Sequence, residues 1–178
     1  MTRIIAGTAG GRRLVVPPGT STRPTSDRAR EGLFSSLQSL TDLDGAAVLD
    51  LYAGSGALGL EAVSRGAAAA TLVEDDPRAL DAIRSNIDAL GLAATVVGAD
   101  VADFLSREPS PYDVVVLDPP YDVDVDPVLA ALLPWVAEDG VVVVERRTRG
   151  VAPGPPAGLR EERSRRYGEA TLWYFSRS

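Results

Sequence analysis

Four consecutive residues, Asp118-Pro119-Pro120-Tyr121, have the types needed to alkylate an exocyclic amine of a nucleobase, and they follow the apolar run 114–117. Such an amine is a poor nucleophile because its lone pair is delocalised into the ring. Hydrogen bonds from its protons to Asp118 and to the carbonyl of Pro119 would aim the lone pair at an electrophilic methyl group. Tyr121 would stack on the base. The alternative is a turn that ends a buried strand, with Tyr121 as surface cover.

A glycine-rich loop lies earlier in the chain, between a predicted strand that ends near Asp50 and a predicted helix. Gly54, Gly56 and Gly59 have the G-x-G-x-x-G spacing, and this motif requires a strand before it and a helix after it. Glycines there let the backbone approach a ligand closely. Glu74 follows 20 residues after Gly54, where a carboxylate can accept hydrogen bonds from both ribose hydroxyls of an adenosine. We therefore predict a nucleoside-binding half-site; a purely structural glycine turn is the alternative.

The methyl donor S-adenosyl-L-methionine fits this half-site better than NAD does. A dinucleotide normally needs a second mononucleotide-binding half, and the chain after Asp118 is short for one. An acid at Asp50 suits a cationic, amino-bearing ligand better than a pyrophosphate. Asp100 could accept from the adenine amine or could equally cap the following helix. The predicted cofactor-binding residues are Asp50, Tyr52, Ala53, Gly54, Ser55, Gly56, Leu58, Gly59, Glu74, Asp75, Asp100, Val101 and Asp118.

Composition excludes several other chemistries. The chain has 178 residues, with neither Cys nor His. Without Cys there is no thiolate metal site, disulfide or Cys nucleophile, so methylation at C5 of a pyrimidine through a Cys adduct is excluded. Without His there is no His general base or His-ligated metal, and we expect no metal in the reaction. No apolar run is long enough to span a bilayer and no signal peptide is evident, so we expect a cytoplasmic protein.

The net charge of −7 is unevenly distributed along the chain. Residues 1–31 carry six Arg and two acids, and residues 145–178 carry eight Arg and four acids, so each end has a net charge of +4. Two basic ends around an acidic middle suggest one phosphate-binding face; a merely solvated Arg-rich surface is the alternative. The predicted nucleic-acid-binding residues are Arg3, Arg12, Arg13, Arg23, Arg28, Arg30 and Tyr121.

The order of predicted elements indicates one α/β domain over residues 1–178, in which 1–24 form a hairpin and loop and 25–178 form the core. Short apolar stretches at 3–6 and 12–16 predict the hairpin. A helix should begin near Thr25 or Ser26, with Gly32 as a weak point within it. From Ala46 onward, continuously apolar strands alternate with helices, which predicts a parallel sheet covered on both faces. Residues 159–176 should add an antiparallel pair.

These motifs together resemble the class I, Rossmann-like methyltransferases, and within them the RsmD family of 16S rRNA guanine-N2 methyltransferases. The resemblance covers nearly the whole chain and departs from the commonest pattern at Gly32. The matching segments are Arg3-Ile4-Ile5, Gly11-Arg12, Arg23-Pro24-Thr25, Arg28, Arg30-Glu31, Leu49-Asp50-Leu51, Gly54-Ser55-Gly56, Leu58-Gly59-Leu60-Glu61-Ala62, Glu74, Asp118-Pro119-Pro120-Tyr121 and Tyr167-Gly168.

The resemblance implies a seven-stranded, mostly parallel sheet with its last strand antiparallel, and a single methyl transfer to 16S rRNA. Carried over residue by residue, it gives the glycine loop and Glu74 to the cofactor and Asp118 to Tyr121 to the target base. We expect a monomer that acts on rRNA in the assembled small ribosomal subunit and has no membrane partner. Two alternatives stay open: methylation of adenine N6 or cytosine N4 in DNA or another RNA, and a non-catalytic RNA module that binds an adenosine ligand.

Overall fold

The computed structural model describes residues 2–18 and 26–178 and shows one seven-stranded sheet in the order β3-β2-β1-β4-β5-β7-β6. The first five strands run parallel, and β7 is antiparallel to both of its neighbours. The fold class predicted from the sequence is therefore confirmed. The strands are β1 (Ala47–Leu51), β2 (Ala69–Glu74), β3 (Ala94–Gly98), β4 (Tyr112–Leu117), β5 (Val136–Arg147), β6 (Leu159–Tyr167) and β7 (Ala170–Arg177).

Helices cover both faces of the sheet, and each face has its own apolar core. The helices are α1 (Asp27–Leu40), α2 (Ala57–Ser64), α3 (Pro77–Leu90), α4 (Val101–Leu105) and α5 (Val125–Leu132), followed by a 3₁₀ turn at Leu133–Trp135. Alternate residues of the strands divide between the faces: Val114 and Val116 pack with Phe34 of α1, while Val115 and Leu117 pack with the α4 and α5 side. This alternation places Asp118 on the α1 face of the sheet. Among the described residues, no helix is long and apolar enough to cross a membrane.

The chain before α1 is a short docked segment with little regular strand. One antiparallel bridge joins Arg3 to Arg13, so the predicted hairpin is reduced to a single pair of residues. Two further backbone groups of the segment bond to α2: Glu61 accepts from the N–H groups of Ile5 (2.8 Å) and Ala6 (3.0 Å). A Cβ at Gly7, where φ is +85°, would lie 1.8 Å from the carbonyl oxygen of Ser64. The segment therefore packs against the backbone of α2 so closely that position 7 accommodates only glycine.

The N-terminus of α1 lies at the edge of the sheet where the parallel strands end. Ser26, one of the two predicted capping residues, caps the helix: its side chain accepts from the N–H of Ala29 (3.1 Å). Arg163, early in β6, donates to Ser39 (2.9 Å), whereas Tyr167, at the end of β6, lies against Gly32. The helix therefore runs antiparallel to β6. Its first turn points to the carboxyl edge of the sheet.

Several predicted boundaries differ by a few residues. The sequence predicts a strand at Gly140–Glu145 and a short helix near Pro127–Leu133, but β5 begins at Val136 and α5 begins at Val125. Asp124 caps α5 by accepting from the N–H of Asp126 (3.2 Å), which explains the earlier start. The predicted antiparallel pair in residues 159–176 is confirmed as β6 and β7.

Candidate functional site

The predicted cofactor and target residues meet at the carboxyl edge of three neighbouring strands. Tyr52 to Ser55 follow β1, Glu74 ends β2, and Asp118 follows β4, which pairs with β1 on its other side. Ligands of open α/β sheets bind in the crevice at this edge. The two segments that the sequence marks for chemistry are therefore brought together by the parallel pairing of β1 and β4.

Glu74 holds the glycine loop in place. One carboxylate oxygen accepts from the N–H of Gly54 (2.8 Å), and the other accepts from Asp75 and Asp76 (3.0 Å each). A carboxylate can accept about four hydrogen bonds, so these three leave capacity for a ribose hydroxyl. A Cβ on Gly54, where φ is +59°, would meet no atom within 4 Å, so there is open space beside this glycine. The loop and Glu74 thus fit an adenosine ligand.

Asp50 lies beneath the loop and has little contact with solvent. The residue is 1 % exposed, and its Oδ2 accepts from the N–H of Gly59 at 2.9 Å. The pKa of Asp50 is raised to about 8: burial is the main cause, the hydrogen bond from Gly59 opposes it, and the negative charge of Glu74 adds to it. In this structure Asp50 therefore supports the start of α2, while its predicted contact with the cofactor stays a prediction.

Tyr52 connects the cofactor loop to the target side of the site. Its φ of +59° is unusual for an aromatic residue, and backbone strain of this kind costs about 1–3 kcal/mol and clusters at functional sites. Burial is the largest influence that raises the pKa of Tyr52, and the charge of Asp100 adds to it. Arg146 lowers the pKa, and Asp75 raises it. Tyr52 is thus close to acids of the cofactor side and to an arginine of the target side.

Asp100 caps α4, which was one of its two predicted roles. Its Oδ1 accepts from the N–H groups of Ala102 (2.8 Å) and Asp103 (3.4 Å). A contact with adenine stays a prediction. Asp75 follows β2 and is exposed, whereas Val101, the first residue of α4, and Leu58, the second residue of α2, are buried.

Arg146, which the sequence did not single out, holds the loop that contains the predicted target-binding residues. Its guanidinium donates to the carbonyl oxygens of Pro120 (3.3 Å), Tyr121 (3.0 Å) and Val123 (3.0 Å). Three carbonyls held by one largely buried cation keep the loop in a single conformation. The sequence offers one signal for this role: Arg146 closely follows the apolar run 141–144, at the end of β5.

Arg147, the next residue, contacts the predicted base-stacking ring. Its guanidinium carbon lies 4.5 Å from the centroid of the Tyr121 ring, which is a cation–π distance. Tyr121 is 44 % exposed, whereas Pro119 is buried. One face of the ring is therefore covered by a cation, and stacking of a base on this ring stays a prediction.

The predicted nucleic-acid-binding arginines do not all lie at the surface. Arg3, Arg12, Arg13 and Arg28 are exposed, although Arg3 pairs with Asp27 (3.4 Å) and Arg12 donates to Ala89 (2.9 Å). Arg23 lies outside the described residues. Arg30, which was also predicted to bind nucleic acid, is buried.

Arg30 is only 1 % exposed and cannot present its guanidinium to a phosphate in this conformation. It bonds to the carbonyl of Arg3, and its distances to carboxylate oxygens are 3.2 Å for Asp27 and 3.6 Å for Glu61. Arg65 also pairs with Glu61, at 2.8 Å. Arg30 therefore ties the docked N-terminal segment to α1 and α2. The error arose because burial of an arginine beside a distant glutamate leaves no local signal in the sequence.

The fold and this site define a Rossmann-like methyltransferase. A family model described as "Conserved hypothetical protein 95" matches residues 2–176. The chain is 36 % identical to "Ribosomal RNA small subunit methyltransferase D" of Escherichia coli (strain K12), over 98 % of this chain and 89 % of that protein. It is 34 % identical to the Bacillus subtilis protein YlbH, with 93 % and 94 % covered. The solved structure of the Escherichia coli protein yhhF superposes with a TM-score of 0.88 at 35 % identity, over 99 % of this chain and 98 % of that one.

The chain therefore belongs to the conserved hypothetical protein 95 family, which is the RsmD family that the motifs indicated.

Proposed function

We propose that this protein transfers the methyl group of S-adenosyl-L-methionine to the exocyclic N2 amine of a guanine in small-subunit (16S) rRNA. The observation that carries the proposal is the adjacency of the two loops: the glycine loop that Glu74 holds follows β1, and Asp118 to Tyr121 follow the neighbouring strand β4. The name of the Escherichia coli relative, at 36 % identity over 98 % of this chain, supports rRNA of the small subunit as the substrate. The reaction would take place in the cytoplasm, where small subunits are assembled.

S-adenosyl-L-methionine supplies an electrophilic methyl group when bound. Glu74 and the glycine loop would hold its adenosine, with Asp50 beneath the loop. Asp118 and the carbonyl of Pro119 would accept hydrogen bonds from the two N2 protons of guanine and so orient the nitrogen lone pair. Arg146 holds the loop that carries these acceptors. The new N–C bond would form as the methyl–sulfur bond of the sulfonium breaks, so a neutral thioether would leave and the positive charge would pass to the amine. The carboxylate of Asp118 would stabilise that charge until the nitrogen releases its proton to solvent.

The target is more consistent with a folded RNA than with a DNA sequence. The Escherichia coli and Bacillus subtilis relatives are named as rRNA methyltransferases. Residues 122–178 of this chain form α5 and the last three strands of the sheet. RNA is recognised by shape and by bases splayed out of loops, and an assembled subunit presents both. We therefore propose the assembled subunit as the substrate and a monomer as the active form.

The test offers labelled S-adenosyl-L-methionine with small ribosomal subunits, protein-free 16S rRNA and duplex DNA, and identifies the product nucleoside by mass spectrometry. N2-methylguanosine from subunits alone would support the whole proposal. The same nucleoside from protein-free rRNA would overturn the requirement for assembly. N6-methyladenine or N4-methylcytosine would overturn the target, and cofactor binding without transfer to any substrate would indicate a non-catalytic module.

A further inference from the structure

Three arginines outside the predicted set lie at the same edge of the sheet as Asp118. Arg147 ends β5, and Arg165 and Arg166 are near the end of β6. The register connects them through β7: Arg147 pairs with Ala170, which pairs with Tyr167, while Arg165 pairs with Leu172 and thereby aligns with Glu145 of β5. Because β6 runs in the same direction as β5, its last residues lie at the carboxyl edge with the site. Side chains alternate along a strand, so Arg165 lies on the same face as Arg147 and Asp118, whereas Arg166 lies on the opposite face.

The contacts of these side chains leave their charges available to a ligand. Arg165 donates to the carbonyl of Ser164 (2.8 Å) and Arg166 to that of Gly168 (3.1 Å). Within residues 2–18 and 26–178, none of the three forms an ion pair with a carboxylate within 4 Å. All three are exposed, and β6 is the last strand of the sheet, so nothing in the described chain covers its outer edge. Glu169, in the turn between β6 and β7, is the exposed acid beside them.

Arg147 joins this group to the target-binding ring. Its guanidinium covers one face of Tyr121, so the strip begins where the base is expected to stack. From β5 to β6 the strip extends across two strand spacings, about 10 Å. When the target nucleotide occupies the site, the adjacent nucleotides of the RNA would lie over this surface.

We propose that Arg147 and Arg165 form a phosphate-binding strip that holds the RNA backbone beside the nucleotide in the site. This inference rests on the proposed function, since it assigns the surface that binds the same substrate. A protein with net charge −7 needs a local cationic surface to bind a polyanion, and the carboxyl edge supplies one. Arginine is suited to this because its planar guanidinium binds phosphate oxygens in pairs.

The test compares the double variant Arg147→Ala/Arg165→Ala with Arg160→Ala. Arg160 is the matched control, because it lies on the same strand as Arg165, near its other end, and pairs with Glu162 at 2.8 Å. Equilibrium affinity for small ribosomal subunits would be measured across a series of KCl concentrations, together with affinity for S-adenosyl-L-methionine. We expect the double variant to bind subunits about tenfold more weakly, with a smaller slope of log affinity against log salt. Arg147→Lys/Arg165→Lys should restore most of the slope.

The outcomes separate this inference from the proposed function. Wild-type protein that transfers no methyl group to subunits or rRNA would overturn the proposed function. Wild-type methyl transfer combined with a double variant that matches Arg160→Ala in affinity and salt slope would overturn the strip alone. A parallel loss of cofactor affinity in the double variant would also overturn it, since that result means that the fold is disturbed. A lower subunit affinity at unchanged cofactor affinity supports it.

Discussion

The side-chain amide of Asn86 pairs with both backbone polar groups of Val15. Its Oδ1 accepts from the N–H of Val15 at 2.7 Å, and its Nδ2 donates to the carbonyl of Val15 at 2.9 Å. The same nitrogen donates to the carbonyl of Ser55 in the glycine loop at 3.0 Å. Asn86 is 2 % exposed, so one buried amide on α3 connects the N-terminal segment to the cofactor loop.

Replacing Asn86 with Asp should weaken cofactor binding without removing side-chain volume. The carboxylate cannot donate to the carbonyls of Val15 and Ser55, and an unsatisfied buried acceptor costs about 1–3 kcal/mol. We expect affinity for S-adenosyl-L-methionine to fall about tenfold or more, as measured by calorimetric titration. Ser85→Ala, at an exposed position of the same helix, is the control. Equal affinities for Asn86→Asp and Ser85→Ala would show that the glycine loop does not depend on this amide.

Replacing Asp118 with Ala should abolish most of the turnover and leave cofactor affinity nearly unchanged. The carboxylate is expected to bond to the amine that reacts, and removal of one such oriented acceptor costs about 10²–10³ in rate. Single-turnover methyl transfer and cofactor titration measure the two effects separately. Asp118→Asn keeps the shape of the side chain and should also be slow. Equal losses of turnover and of cofactor affinity would mean that Asp118 supports the loop instead.

Replacing Glu74 with Ala should have the opposite pattern. Three backbone N–H groups lose their acceptor, including that of Gly54, and the ribose loses its predicted partner. We expect cofactor affinity to fall by at least tenfold, with a smaller effect on the rate at saturating cofactor. Glu138→Ala, at an exposed position near the start of β5, is the control. Unchanged cofactor affinity in Glu74→Ala would contradict the role assigned to this residue.

The sheet and the two loops could be predicted from the sequence because their signals are local. Gly54 and Gly56 follow an apolar strand directly, and Asp118 follows another, so the pairing of parallel strands is enough to bring them together. The roles of Arg30 and Arg146 could not be predicted in this way. Each arginine is defined by partners far away in the sequence: Glu61 for Arg30 and the carbonyls of Pro120 to Val123 for Arg146. Buried charge is decided by tertiary packing, which a local motif does not contain.

Asp50 should make the protein less stable as the pH rises from about 4 to 8. Its folded pKa of about 8 lies above the ordinary value of 3.8 because burial disfavours the carboxylate. In that window the folded protein keeps a proton that the unfolded chain has released, so unfolding free energy decreases with pH by up to about 1.4 kcal/mol per unit. Below the window both states are protonated, and above it neither is. The contribution of the raised pKa to the free energy of unfolding is therefore complete at low pH and is lost as the pH passes 8.

Asp50→Asn isolates this effect because the amide oxygen can still accept from Gly59. Urea unfolding of both proteins across the pH range would measure it. Relative to the wild type, the variant should gain stability between pH 4 and 8, and the difference should be constant above that window. A difference that does not change with pH would contradict the raised pKa of the buried carboxyl.

Replacing Gly32 with Ala should destabilise the protein, although it improves the helix propensity of α1 by about 1 kcal/mol. A Cβ at this position would lie 1.9 Å from the hydroxyl oxygen of Tyr167 and 2.4 Å from its Cζ, so the ring would have to move. Overpacking of this kind typically costs about 1–3 kcal/mol, which exceeds the gain in propensity. The sign should reverse in a Tyr167→Ala background, where the clash is absent and the propensity term remains. Urea unfolding of the wild type, Gly32→Ala, Tyr167→Ala and the double variant would test this. Stabilisation by Gly32→Ala in both backgrounds would show that Tyr167 does not require the glycine.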